Sequence, residues 1–186
     1  VFLFLGRFNA EMGLDSFIDT IPLVIEKNNN VKFILAGATG PLNNVALKCK
    51  DQFSDYVTLI NNVPYDLLPT LYAAADIVCT PSKGHRACMG VTIKEAMAAS
   101  KPAIGTNSGG IPEAIVHNET GLIVSHRDNG DIDINKFAES MLYLAASPNL
   151  RKRMGEKALL RAEELCSEET TINKTADIFL RCIPNV

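Results

Sequence analysis

DIVCTPSKGHRACMGVTIKEAMAASKPAIGT, residues 76–106, decides the fold. It opens on DIVCT (76–80), a short apolar run of the kind that forms a strand buried on both faces. A polar, glycine-containing turn follows, then the Ala-rich helical segment TIKEAMAAS (92–100) and a second apolar run, PAIGT (102–106). Strand, helix and strand in that order form a parallel βαβ unit. A right-handed crossover places the strand-to-helix loop at the carboxyl edge of the sheet, where ligands bind in such folds.

The same alternation extends in both directions. Strand candidates are VFLFL (1–5), VKFILA (31–36), YVTLI (56–60) and GLIV (121–124). Between them, GLDSFIDTIPLVIEK (13–27) sets Leu14, Phe17, Ile18, Ile21 and Ile25 at helical steps, with Pro22 expected to kink the helix. LLPTLYAAA (67–75) reads as a further helix, and three helical stretches near 132–146, 149–165 and 168–182 close the chain. The expected fold is α/β: a Rossmann-like parallel sheet of about six strands with helices on both faces. The tail beyond about residue 130 has no strand, so it must pack on the sheet or reach another domain.

Bulk properties narrow the class. The 186 residues, 47% of them apolar, suit one domain with a substantial core. No apolar run approaches the roughly 18 residues of a membrane span. VFLFLG (1–6) is too short for a signal peptide and lacks its basic flank; with no initiating Met, the chain reads as a fragment of a longer protein. A net charge of −3 with mixed signs gives no general attraction to nucleic acid. Arg151, Lys152 and Arg153 precede Glu156, Glu163 and Glu164, as on a solvated helix face. Cys49, Cys79, Cys88, Cys166 and Cys182 contain no CxxC pair and read as small apolar fillers in a reducing, cytoplasmic setting. His85, His117 and His126 lack ligand-like spacing, so no metal is expected.

Four strand-end loops carry the candidate chemistry. In LGRFNAEMG (5–13), Gly6 permits a tight turn and Arg7 either forks onto a phosphate or stays a surface cation. AGATGPLNN (36–44) puts Gly37 and Gly40 after a strand, an anion-receptive pattern that lacks the features of a Walker loop. In PSKGHRACMGVTIKEAM (81–97), a helix beginning near Gly90 or Val91 turns the free amides of residues 90–92 toward the ligand edge. Glu95, one turn on, is placed either to accept hydrogen bonds from vicinal ribose hydroxyls or to face solvent. TNSGGIPEAI (106–115) starts a short helix at Pro112, with Glu113 in its first turn.

Taken together, LGRF (5–8), FILAG (33–37), LINNVPYDLLPTLYAAADIVCTPS (59–82), GVTIKEAMAASKPAI (90–104) and SGGIPEAIVHNETGLIV (108–124) resemble the C-terminal, nucleotide-sugar-binding domain of the retaining, group 1 glycosyltransferases of family 4. The resemblance implies half of a GT-B fold: residues 1–186 as a donor-binding domain, core 1–130 and closing helices 131–186, with an N-terminal acceptor domain absent. It implies transfer of a sugar, with retention, from a UDP or GDP sugar to a glycan, lipid or small molecule. No metal or other cofactor is implied. The setting would be cytoplasmic, with peripheral contact at the inner membrane face made by the rest of the protein.

Residue by residue, Arg7 matches the arginine on the donor diphosphate, and Gly90, Val91 and Thr92 match its backbone cradle. Glu95 matches the second Glu of the family's E-x7-E pattern, the one on the ribose, and Val63 falls where the base packs. Arg7 and Glu95 are the candidate catalytic residues; Gly6, Gly37 and Arg86 complete the donor-binding set. Two positions depart from the pattern. Met12 stands where the family usually has a Lys, and Ala87 stands at the first Glu position, which faces the donor sugar. Lys83, His85 or Arg86 is a candidate replacement, which would suit an acidic donor sugar such as a uronate. The alternatives are a non-catalytic homologue that binds a nucleotide sugar or acts as a scaffold, and a related sugar-nucleotide epimerase.

Overall fold

A computed structural model describes residues 1–84 and 90–183. The sheet consists of β1 (Phe2–Leu5), β2 (Phe33–Gly37), β3 (Val57–Asn61), β4 (Ile77–Thr80), β5 (Ala103–Thr106) and β6 (Gly121–Val124). The helices are α1 (Leu14–Lys27), α2 (Asn43–Gln52), α3 (Leu68–Ala74), α4 (Val91–Ala98), α5 (Ile111–Ala114), α6 (Ile134–Ala145), α7 (Pro148–Cys166) and α8 (Glu168–Cys182), with a 3₁₀ turn at Tyr65–Leu67. The strands lie in the order β3-β2-β1-β4-β5-β6, and every pairing is parallel. The winding direction reverses between β1 and β4, which makes the carboxyl ends of those two strands the expected ligand crevice.

Period-two alternation feeds two sides of the sheet. Phe2 and Phe4 enter a core with Phe8, Phe17 and Phe33, whereas Leu3 enters another with Ala36, Val78 and Ala96. The aromatic core is tightly interlocked: Phe2 stacks on Phe33 at 5.4 Å between ring centres, and Phe17 meets Phe4 at 5.6 Å and the Phe33 edge at 6.2 Å. Helices α1, α2 and α6 cover this side through Val24, Cys49 and Met141. On the other side, α3 and α4 contribute Leu71, Tyr72 and Ala96, and α7 packs Ala158 and Ala162 on α4 and α5.

All six expected strands form, each within two residues of the expected bounds. Helix α1 runs through Pro22 without a break. Pro22 is exposed, so its ring and its missing amide fall on the solvent side of the helix. Val24 is fully buried, while Ile25 is only half-buried. Helix α2 buries only Ala46 and Cys49, with Val45 and Leu47 exposed among polar residues, and its extent was not readable from periodicity.

The tail divides. Helix α6 buries Phe137, Ala138, Met141 and Leu144, and α7 buries Met154, Ala158 and Ala162, but α8 buries no residue. Two sequence expectations are corrected here. Arg151 is not part of a free basic face: its guanidinium donates to the carbonyls of Leu144 and Ala145 at 2.8 Å each, closing the C-terminus of α6. Cys49 and Cys79 are buried fillers, but Cys166 and Cys182, at the ends of α7 and α8, are exposed. His85, Arg86, Ala87 and Cys88 lie outside the described residues. No helix among the described residues is long and apolar enough to cross a membrane.

Candidate functional site

The two loops at the reversal point are fastened to each other by backbone. Gly13, which precedes α1, has φ 74°, and a Cβ there would overlap the Pro81 carbonyl, so only glycine lets the β1–α1 loop meet the β4–α4 loop. Lys83 extends the seam: its amide donates to the Glu11 carbonyl at 2.9 Å and its ammonium pairs with Asp15 at 2.6 Å. Lys83 therefore shares its charge with Asp15, which weakens its candidacy as a free cation for a donor sugar. A third anchor sits behind them. The Ser82 carbonyl accepts from Thr106 Oγ1 at 2.6 Å and Ser108 Oγ at 3.1 Å, and it lies 3.2 Å from His126 Nε2.

At this crevice the candidates separate into committed and uncommitted groups. Arg7 follows β1 by two residues and is exposed; its carbonyl accepts from the Asn9 amide at 2.8 Å, while its guanidinium has no hydrogen-bond or ion-pair partner among the described residues. Helix α4 starts from Gly90, whose φ is 59°, and carries no side-chain cap. The Gly90 carbonyl accepts from the amides of Ile93 and Lys94 at 2.9 and 3.0 Å, while the amides of Gly90, Val91 and Thr92 have no partner among the described residues. An uncapped helix start of this kind concentrates positive potential and unused donors, the combination that receives phosphate. The Thr92 hydroxyl lies 3.5 Å from the Leu5 carbonyl, which ties this helix start to the end of β1.

Gly37 and Gly6 play a structural part that spacing alone did not reveal. A Cβ on Gly37, whose φ is 141°, would overlap the Gly6 carbonyl. The Thr39 amide is taken by Asn62 Oδ1 at 3.2 Å, so part of the 36–44 loop is spent on the loop after β3. Val63 is half-buried against the core that contains Tyr72 and Ala96. Met12, exposed, lies with its side chain over Gly6. It adds apolar surface beside Arg7 where a cation would add charge.

Glu95 is not a free surface carboxylate. Its Oε2 accepts a 2.6 Å hydrogen bond from the hydroxyl of Tyr72 on α3. Tyr72 is 3% exposed, and burial first, then the Glu95 carboxylate, push its phenol well above the ordinary tyrosine range, so it remains a donor. Both residues border an open cleft of about 590 Å³ between α4 and the segment 65–73, lined also by Tyr65, Leu68, Pro69 and Ala99. Tyr72 was missed in the sequence. The available signal was a lone tyrosine in an Ala-rich helix, a buried ring whose hydroxyl needs a partner.

Residues 1–147 match the family model described as glycosyl transferases group 1. The chain belongs to the group 1 glycosyl transferases. Among its relatives is a GDP-mannose-dependent alpha-(1-6)-phosphatidylinositol monomannoside mannosyltransferase of Mycobacterium tuberculosis, 33% identical over 186 residues, covering 95% of this chain and 46% of that protein. An alpha-D-kanosaminyltransferase of Streptomyces kanamyceticus is 24% identical, covering 85% of this chain and 39% of that protein. The chain thus spans less than half the length of these relatives. The fold is that of GT-B structures such as a mutant of S. aureus TarM in complex with UDP and other ligands, with a TM-score of 0.82 at 22% identity over 96% of this chain and 35% of that one. It also matches the C-terminal domain of a group 1 glycosyl transferase from Francisella tularensis, with a TM-score of 0.74 at 20% identity over 90% of this chain and 86% of that one.

Proposed function

We propose that this chain is the donor-binding half of a retaining glycosyltransferase, and that it takes a UDP or GDP sugar at the β1/β4 crevice. The carrying observation is the uncapped start of α4, with unpartnered amides at Gly90, Val91 and Thr92, beside an uncommitted Arg7. In this reading those amides and the guanidinium hold the diphosphate. Glu95 accepts from the ribose hydroxyls, and the cleft between α4 and segment 65–73 seats the nucleoside. A GDP-mannose-dependent relative and a UDP complex of a fold neighbour support the donor class. The acceptor belongs to the missing half of the protein, and the exposed apolar residues of α8 (Ile172, Ile178, Phe179 and Leu180) are the surface for that half to cover.

Calorimetry of this chain with UDP and GDP tests the reading. Binding is expected for at least one diphosphate, weakened about tenfold or more in Arg7→Ala, because a charge-assisted contact is lost. Unmeasurable binding of both nucleotides, or an unaffected Arg7→Ala, would overturn it. One observation favours a second reading, a homologue that binds without transferring: exposed, apolar Met12 stands over Gly6. Full-length protein that binds the nucleotide sugar but neither transfers nor hydrolyses it would decide for that reading.

A further inference from the structure

We propose that Tyr72 is a positioning residue for nucleotide recognition: it fixes the Glu95 carboxylate and thereby sets the preference for ribose over deoxyribose. The inference rests on the assignment of Glu95 to the ribose hydroxyls given above. A glutamate on a helix has three rotatable side-chain torsions, and an unanchored carboxylate loses that freedom when it grips a diol. Here the cost is already met. Tyr72 Oη donates to Glu95 Oε2 at 2.6 Å, a short bond between a neutral donor and a carboxylate, while the Thr92 carbonyl is 3.4 Å from the same hydroxyl. The single phenolic proton therefore goes to Glu95.

Rigidity passes from the ring to the carboxylate. Tyr72 is 3% exposed and packs with Leu71, Ala75 and Ala96, so its hydroxyl is held by the core. Oε1 of Glu95 has no hydrogen-bond partner among the described residues and is left for a ligand. Tyr72 thus acts through Glu95 rather than on the substrate. The bond also joins α3, which walls the nucleoside cleft, to α4, whose first turn forms the phosphate cradle, so the two halves of the nucleotide seat keep a fixed spacing.

The test is calorimetry of this chain with UDP or GDP and with the 2′-deoxy and 3′-deoxy forms of the nucleotide that binds, for the wild type, Tyr72→Phe and Glu95→Gln/Tyr72→Phe against Glu95→Gln. The wild type is expected to favour the ribonucleotide about tenfold over a deoxy form, as for one hydrogen bond to a charged acceptor. Tyr72→Phe should shrink that ratio below about threefold by weakening the ribonucleotide alone, with no further change when Glu95 is already Gln. Equal weakening of ribo and deoxy forms would mean that Tyr72 acts only through general stability, and an unchanged ratio would mean that it does not position Glu95. Either overturns the inference while leaving the ribose assignment standing. A wild type that binds ribo and deoxy forms alike removes the ribose assignment and this inference together.

Discussion

Single atoms decide how close the crevice loops come. At Gly13 a side chain would need to enter the space of the Pro81 carbonyl in a left-handed conformation, so Gly13→Ala is expected to cost about 2 kcal/mol or more. Urea denaturation measures this as a lower midpoint with an unchanged slope. Cysteine chemistry divides in the same local way. Burial pushes the Cys49 thiol up to about 11, so at pH 8 almost none of it is the reactive thiolate. Burial raises Cys79 further still. Because the folded thiol stays protonated across the neutral range, raising the pH to 8 gives it no nucleophile. Mass mapping after iodoacetamide at pH 8 should find Cys166 and Cys182 labelled, with Cys49 and Cys79 labelled only after unfolding. The sequence shows five cysteines of one kind; which are buried depends on the presence or absence of a neighbour far along the chain.

Elements differ in how visible they are beforehand, for a physical reason. The six strands are legible because a parallel strand covered on both faces must be a continuous apolar run, and VFLFL or DIVCT supports little else. Helix α2 is obscure because it buries only Ala46 and Cys49, so its apolar period is almost empty. Arg151 looks like surface charge because its partners, the Leu144 and Ala145 carbonyls at the end of another helix and the Asp76 carboxylate 4.0 Å away, lie elsewhere along the chain. Replacing Arg151 by Ala should lower stability by about 1–3 kcal/mol, since two carbonyls lose a charged donor. Nucleotide affinity should stay the same, as the Arg151 guanidinium reaches only the end of α6 and Asp76, which precedes β4 at the edge of the sheet opposite the crevice. Helix α8 makes the opposite case. With no residue buried, truncation after Ser167 should lower the melting temperature of this chain by less than about 3 °C in a calorimetric scan.

Over the whole molecule, six short strands and their helices serve one edge. The reversal between β1 and β4 opens the crevice, the Gly13–Pro81 and Lys83–Asp15 contacts fasten its two lips, and Tyr72 fixes the carboxylate beside it. Arg7, Gly90, Val91, Thr92 and Glu95 were legible as candidates because strand-end loops and an uncapped helix start are local patterns. The Tyr72–Glu95 bond was not, since it joins side chains 23 residues apart on different helices and no local period encodes it. Met12 is visible in both views, first as a departure from the family pattern and then as apolar surface over Gly6. The central claim is that a nucleoside diphosphate binds at this edge. Amide-resolved NMR of the labelled chain, titrated with UDP and GDP, tests it most directly. Saturable shifts concentrated at Gly6, Arg7, Gly90, Val91, Thr92 and Glu95 are predicted for at least one nucleotide; no saturable shift with either, or shifts centred on another edge of the sheet, would contradict it.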